Sequence, residues 1–132
     1  MSLEIDRKGE SMDCKICKSQ EEMNHEIGKF THWILRDSFS EKGLKGYITI
    51  ESRKHYENWE DLSDEAFGEY GPALKFALET IQKNHKPRKI YSVSIAEAVP
   101  HLHIHLIPNY EGDARGIEYI AKAITGDLRS KN

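Results

Sequence analysis

The sequence predicts an α+β fold in which an antiparallel sheet packs on one central helix, and three observations carry that reading. Four short runs rich in β-branched and aromatic residues, THWIL (31–35), GYITI (46–50), KIYSVSI (89–95) and HLHIHLI (101–107), stand apart from one another. Between the second and third lies one long segment whose apolar residues step by three and four, the spacing of a helix face. The strands are grouped around this segment and do not alternate with several helices, as they would in a parallel sheet.

In chain order, residues 1–12 are polar and expected to be loose, and 13–132 form a single domain, long enough to bury a core without staples. RDSFSEKGLK, which carries turn residues, separates THWIL from GYITI, so those two strands are antiparallel neighbours. The helix opens at Ser63, a good N-cap. Leu62 and Phe67 stand at hydrophobic-staple positions, and Asp64 and Glu65 suit the positive end of the dipole. Phe67, Tyr70, Leu74, Ala77, Leu78 and Ile81 mark its apolar face; Pro72 should kink its first half, and it should stop before Pro87. In KIYSVSI, Val93 and Ile95 are expected in the core, with Ser92 and Ser94 structural. A short helix over Ile117 to Ile124 closes the chain.

Composition narrows the function classes. With 38% hydrophobic and 31% charged residues the chain is an ordinary globular protein, and its net charge of −3 gives no basic footprint for nucleic acid. No apolar run approaches the roughly 20 residues of a membrane span, and MSLEIDRKGE lacks the apolar stretch of a secretory signal, so the cytoplasm is the expected location. Two cysteines, both in CKIC (Cys14 and Cys17), are too few for a disulfide framework. In a reducing compartment that spacing reads as metal ligands or a redox pair.

PHLHIHLIP (100–108) is the most specific stretch. Strand alternation points His101, His103 and His105 one way and Leu102, Ile104 and Leu106 the other, toward the Leu74–Leu78–Ile81 face. The histidine face must then look into a cleft or a metal site. Alternate strand residues are about 6.6 Å apart, so the outer pair spans about 13 Å and cannot easily share one ion with bonds of about 2 Å. At least one imidazole is left for acid–base or nucleophilic chemistry. CKIC supplies half of a tetrahedral zinc site; a thioredoxin-like redox motif is the rival, though it normally opens a helix after a strand.

At PHLHIHLIP the sequence resembles the histidine triad (HIT) family, and GYITIESRKHYENWEDLSDEAFGEYGPALKFALETI (46–81) is similar to that family's strand, loop and helix. Residues from about Cys14 to Tyr110 can be matched. The resemblance implies an antiparallel sheet of about five strands with a central helix and a short C-terminal helix, and commonly a homodimer formed through that central helix and an edge strand. It implies a nucleotide hydrolase or nucleotidyl transferase. His103 would attack the α-phosphate of a dinucleoside polyphosphate, nucleoside phosphoramidate or related conjugate to give a covalent nucleotidyl-imidazole. His105 would contact the phosphate and carry a proton, and Asp37 would bond a ribose hydroxyl, with a turn aspartate as the alternative. His101, His55, Cys14 and Cys17 would hold a structural Zn²⁺.

The chain departs from the family at Ala96-Glu97-Ala98-Val99-Pro100-His101, where Gly-Gln-Ser/Thr-Val-x-His is usual: Ala98 lacks a hydroxyl, and Glu97 replaces an amide. Two other readings stay open, a metallohydrolase using triad histidines and a carboxylate as ligands, and a nucleotide-binding module without turnover. His25 and His85 are expected to be solvated. His32, Phe30, Trp33 and Ile34 are candidates for pocket walls against plain core, and Arg115 in GDARG (112–116) for a phosphate contact against a surface loop.

Overall fold

The computed structural model describes residues 14–22, 25–110 and 114–128; the segment 1–12 and part of GDARG lie outside them. Five strands, β1 (Glu26–Lys29), β2 (Trp33–Asp37), β3 (Ile48–Ser52), β4 (Lys89–Val93) and β5 (His103–Asn109), form one antiparallel sheet in the order β1-β2-β3-β5-β4. The helices are α1 (Lys15–Glu22), the short α2 (Phe39–Lys42), the central α3 (Asp64–His85) and the C-terminal α4 (Gly116–Thr125). The fold is α+β, with the expected central and C-terminal helices.

Register assigns the faces. Leu35 pairs with Ile50 and Ile50 with Ile104, so these apolar side chains share a face, joined by Trp33, Ile48 and Leu106. Against them α3 presents Ala66, Ala73, Ala77 and Ile81, all fully buried. Small residues let helix and sheet approach closely. Of the expected stripe, Ala77 and Ile81 are buried and Tyr70, Leu74 and Leu78 pack partly buried against this core, while Phe67 is 47% exposed with its ring against Trp59. Ser63 caps α3 as expected, its hydroxyl accepting from the Ala66 N–H, and the helix runs unbroken past Pro72 to His85.

On the opposite face, Tyr47, Ile107, Tyr91 and Val93 meet Tyr119 and Ala123 of α4. That helix covers one end of the face and leaves His103, His105, Thr49, Glu51 and Arg36 around a cavity.

Strand boundaries differ from the sequence reading for local reasons. The N–H groups of Thr31 and His32 donate to the Glu69 carboxylate of α3, so β2 begins only at Trp33. Gly46, at φ +84°, makes the turn before β3; a Cβ there would stand 2.7 Å from the Tyr110 hydroxyl, which only glycine avoids. The largest correction concerns His101. It precedes β5, which starts at His103, so the three histidines do not share one strand. β1 and α1 were not foreseen: β1 is a four-residue edge strand alternating between half-buried and exposed, and α1 buries only Cys17.

Candidate active site and metal centre

His103 and His105 stand on the open face of β5, ring centroids 4.8 Å apart, and both line the cavity. The His103 Nδ1 lies 2.6 Å from the His101 carbonyl oxygen. A carbonyl only accepts, so Nδ1 carries the proton and the lone pair of the neutral ring sits on Nε2. The His105 Nδ1 meets the hydroxyl of the buried Tyr47 at 2.8 Å. Burial first, then the neighbouring His103 and Lys42, lower the His105 pKa to about 3, so this ring is neutral at physiological pH.

That depression has a measurable consequence. The unfolded chain takes up a proton on His105 below about pH 6.5, whereas the folded chain refuses it until about pH 3. The associated stability is present above pH 6.5 and is lost as pH falls toward 3, by up to about 1.4 kcal/mol per unit. Urea melts at pH 7 and pH 5 should differ by roughly 2 kcal/mol from this residue. The difference should shrink by that amount in His105→Asn; an unchanged difference would refute the assignment.

The row beside the histidines is charged. Glu51, paired in register with His103, is buried and accepts from Arg36 Nε (2.8 Å) and Gln20 Nε2 (3.0 Å). Burial raises the Glu51 carboxyl pKa, against which the Arg36 charge and the hydrogen bonds pull it down. The sheet beneath the cavity therefore carries a nearly neutral ion pair.

Behind the triad, Cys14, Cys17, His55 and His101 come together, with four ligand atoms within 4.8 Å of one another. His101 Nδ1 lies 3.4 Å from Cys14 Sγ and 3.5 Å from Cys17 Sγ, and His55 Nδ1 lies 3.4 Å from Cys17 Sγ. Tetrahedral zinc with bonds of about 2.3 Å to sulfur and 2.0–2.1 Å to nitrogen places S and N about 3.6 Å apart, so the donor set fits such an ion. The proton positions fit as well. The other ring nitrogen of His101, Nε2, donates to the Ser52 carbonyl at 2.6 Å, which leaves the Nδ1 lone pair aimed at the thiols. Burial, the largest influence, lowers the His101 pKa to about 4. Glu57 supports His55 from 3.4 Å, and the Cys17 N–H at the start of α1 donates to Cys14 Sγ. His101 thus faces the cysteines and not the cavity, a correction to the shared histidine face. Its backbone explains the turn: Leu102 N–H bonds the Tyr56 carbonyl and Ser52 N–H bonds the Leu102 carbonyl, tying this approach to the exit of β3.

Asp37 lines the cavity, but Oδ1 accepts from the Phe39 N–H at 2.8 Å, so its turn role is present too. His25 is exposed, as expected, and also lines the cavity, with Nε2 3.4 Å from the Ser40 hydroxyl. Lys42, Arg36, Glu51 and Tyr47 were not singled out in the sequence, for none sits in a motif. Trp33 and Phe30 belong to the α3 side of the sheet, the Trp33 indole donating to the Ala66 carbonyl, and are core. Glu97 and Ala98 both border the cavity, so the departures at those positions bear on its chemistry.

An antiparallel sheet carrying two imidazoles over a cavity, with a third turned into a cysteine–histidine cluster, defines an α+β protein of the histidine-triad type. The HIT domain matches residues 29–112, more than half of the chain, and the chain belongs to the HIT family. An uncharacterized HIT-like protein of Methanocaldococcus jannaschii is 26% identical over 84 residues, which span 57% of this chain and 61% of that protein. The fold is shared with a HIT family member from Bacillus subtilis (TM-score 0.67, 19% identity, covering 90% of this chain and 94% of that one). It is likewise shared with a hypothetical histidine triad nucleotide-binding protein from Sulfolobus tokodaii (TM-score 0.64, 18% identity, covering 89% and 90%). Among the described residues no helix is long and apolar enough to cross a membrane.

Proposed function

We propose that the chain is a nucleotide hydrolase or nucleotidyl transferase working through a covalent intermediate on His103. The observation that carries this reading is the His103 Nδ1 bond to the His101 carbonyl, which leaves Nε2 with the lone pair a nucleophile needs beside an open cavity. In the first step Nε2 forms a bond to the α-phosphorus, and the bond from phosphorus to the leaving group breaks, the leaving group taking the electron pair. Water then attacks the same phosphorus, the P–N bond breaks, and the imidazole regains its lone pair as the nucleoside monophosphate departs. His105 holds a non-bridging oxygen of the phosphate, and Asp37 holds a ribose hydroxyl through the oxygen not bonded to Phe39.

The cysteine–histidine cluster would hold a structural Zn²⁺ through Cys14, Cys17, His55 and His101. Four protein ligands leave no open position, so a bound ion supplies cross-linking and not a reactive water. This favours the imidazole mechanism over a metallohydrolase, since no group with a free coordination position accompanies it among the described residues. A homodimer is proposed through α3 and β4, which is one end of the sheet, and a cytoplasmic location accords with two cysteines not joined in a disulfide.

Incubation with adenosine phosphoramidate and diadenosine polyphosphates should release AMP. Stoichiometric AMP binding with every substrate left intact would instead favour a module without turnover, a reading that Ala98 and Glu97 at the cavity keep in play.

A further inference from the structure

Tyr47 has not entered the chemistry so far, yet its side chain is fully buried and in direct contact with a triad histidine. Its backbone is fixed on both sides, the N–H donating to the Leu44 carbonyl and the carbonyl accepting from the Ser38 N–H. Its ring meets His105 edge-on, centroids 5.8 Å apart. Among the described residues, His105 Nδ1 is the hydroxyl's only hydrogen-bond partner. Burial, and secondarily the charge of Glu41, push the phenol pKa well above its ordinary range, so the hydroxyl keeps its proton.

We propose that Tyr47 is a positioning residue: it donates to His105 Nδ1 and thereby fixes the His105 proton on Nε2, making this ring a hydrogen-bond donor toward the substrate phosphate. The proposal rests on the reading of the cavity as a nucleotide site. The opposite arrangement, Nδ1–H pointing at the phenol oxygen, would leave a fully buried O–H without an acceptor, which folded proteins avoid. Neighbouring imidazoles are then set to opposite tautomers by opposite partners. A carbonyl that can only accept leaves His103 Nε2 as a lone pair, and a hydroxyl that must donate leaves His105 Nε2 as N–H. The first ring attacks phosphorus and the second holds its oxygen. A further consequence is that His105 has no proton to release. Losing it would create a buried phenolate or imidazolate, so the proton for the leaving group comes from water or substrate.

The test is ring-nitrogen NMR on the full, metal-loaded chain with ¹⁵N-labelled histidine at neutral pH, read beside kinetics. Wild type should show His105 protonated on Nε2 and bare on Nδ1, and His103 the reverse. Tyr47→Phe keeps the ring and removes only the hydroxyl. It should move the His105 nitrogen signals, leave those of His103 in place, and lower kcat for AMP release by at least about tenfold with KM changed less. A wrong tautomer at a catalytic imidazole costs up to about 10⁴. Wild-type His105 protonated on Nδ1 would overturn the proposal, and so would a Tyr47→Phe variant with unchanged signals and kcat. If no nucleotide substrate is turned over at all, the functional reading fails, while the nitrogen pattern still decides the role of Tyr47.

Discussion

His103→Ala should lose AMP-releasing activity by about 10⁴-fold or more, the scale seen when a covalent nucleophile is removed. The effect is expected to be chemical and not structural. His103 is only half-buried, and among the described residues the one hydrogen bond of its ring goes to a backbone carbonyl, so its removal orphans no buried side chain. Melting temperature should stay near that of wild type, and AMP binding should survive because His105 and Asp37, the proposed phosphate and ribose contacts, are untouched. Rapid acid quench of wild type during turnover should place a nucleotidyl group on the peptide that contains His103, and the variant should show none. An alanine variant as active as wild type would remove the nucleophile from the proposal.

Loss of the cysteine–histidine cluster should have the largest effect on stability. Elemental analysis is expected to find about one zinc per chain, because the four donors make a single closed site. The Cys14→Ser/Cys17→Ser double variant should bind none. Zinc in comparable small sites is bound with about 10–16 kcal/mol of apparent free energy, though only part of that becomes folding stability here, since the sheet has its own core. A loss of several kcal/mol, at about 4 °C per kcal/mol, lowers the melting temperature by 10 °C or more. Chelation of wild type should reproduce the shift. A metal-free chain with an unchanged melting temperature would show that the cluster holds no structural ion.

The reach of sequence reasoning is clearest at β5. Alternation placed His103 and His105 on one face and Ile104 and Leu106 on the other, and the structure has them so, because a paired strand leaves a side chain no third direction. The same rule failed at His101, two residues earlier. There the backbone leaves the ladder to bond Tyr56, and the imidazole turns toward Cys14 and Cys17. Alternation applies only while pairing continues, and where pairing starts is decided by a neighbouring strand remote in sequence. The helix face held from Tyr70 to Ile81 and failed only at Phe67. Phe67 carries more hydrophobicity than Ala66, yet alanine is buried because the sheet approaches too closely for a larger side chain.

By itself the sequence determined the α+β class, the central helix from its Ser63 cap to the stop before Pro87, the clustering of the two cysteines, and the family. Each of these depends on residues near one another in the chain, where spacing and side-chain chemistry suffice. Only the tertiary structure decided that the His103 ring bonds the His101 carbonyl, that Tyr47 stands behind His105, and that Arg36 and Glu51 lie beside His103. The first follows from the turn of the backbone just before β5, and the other two from folding bringing β2, β3 and the residue that enters β3 beside β5.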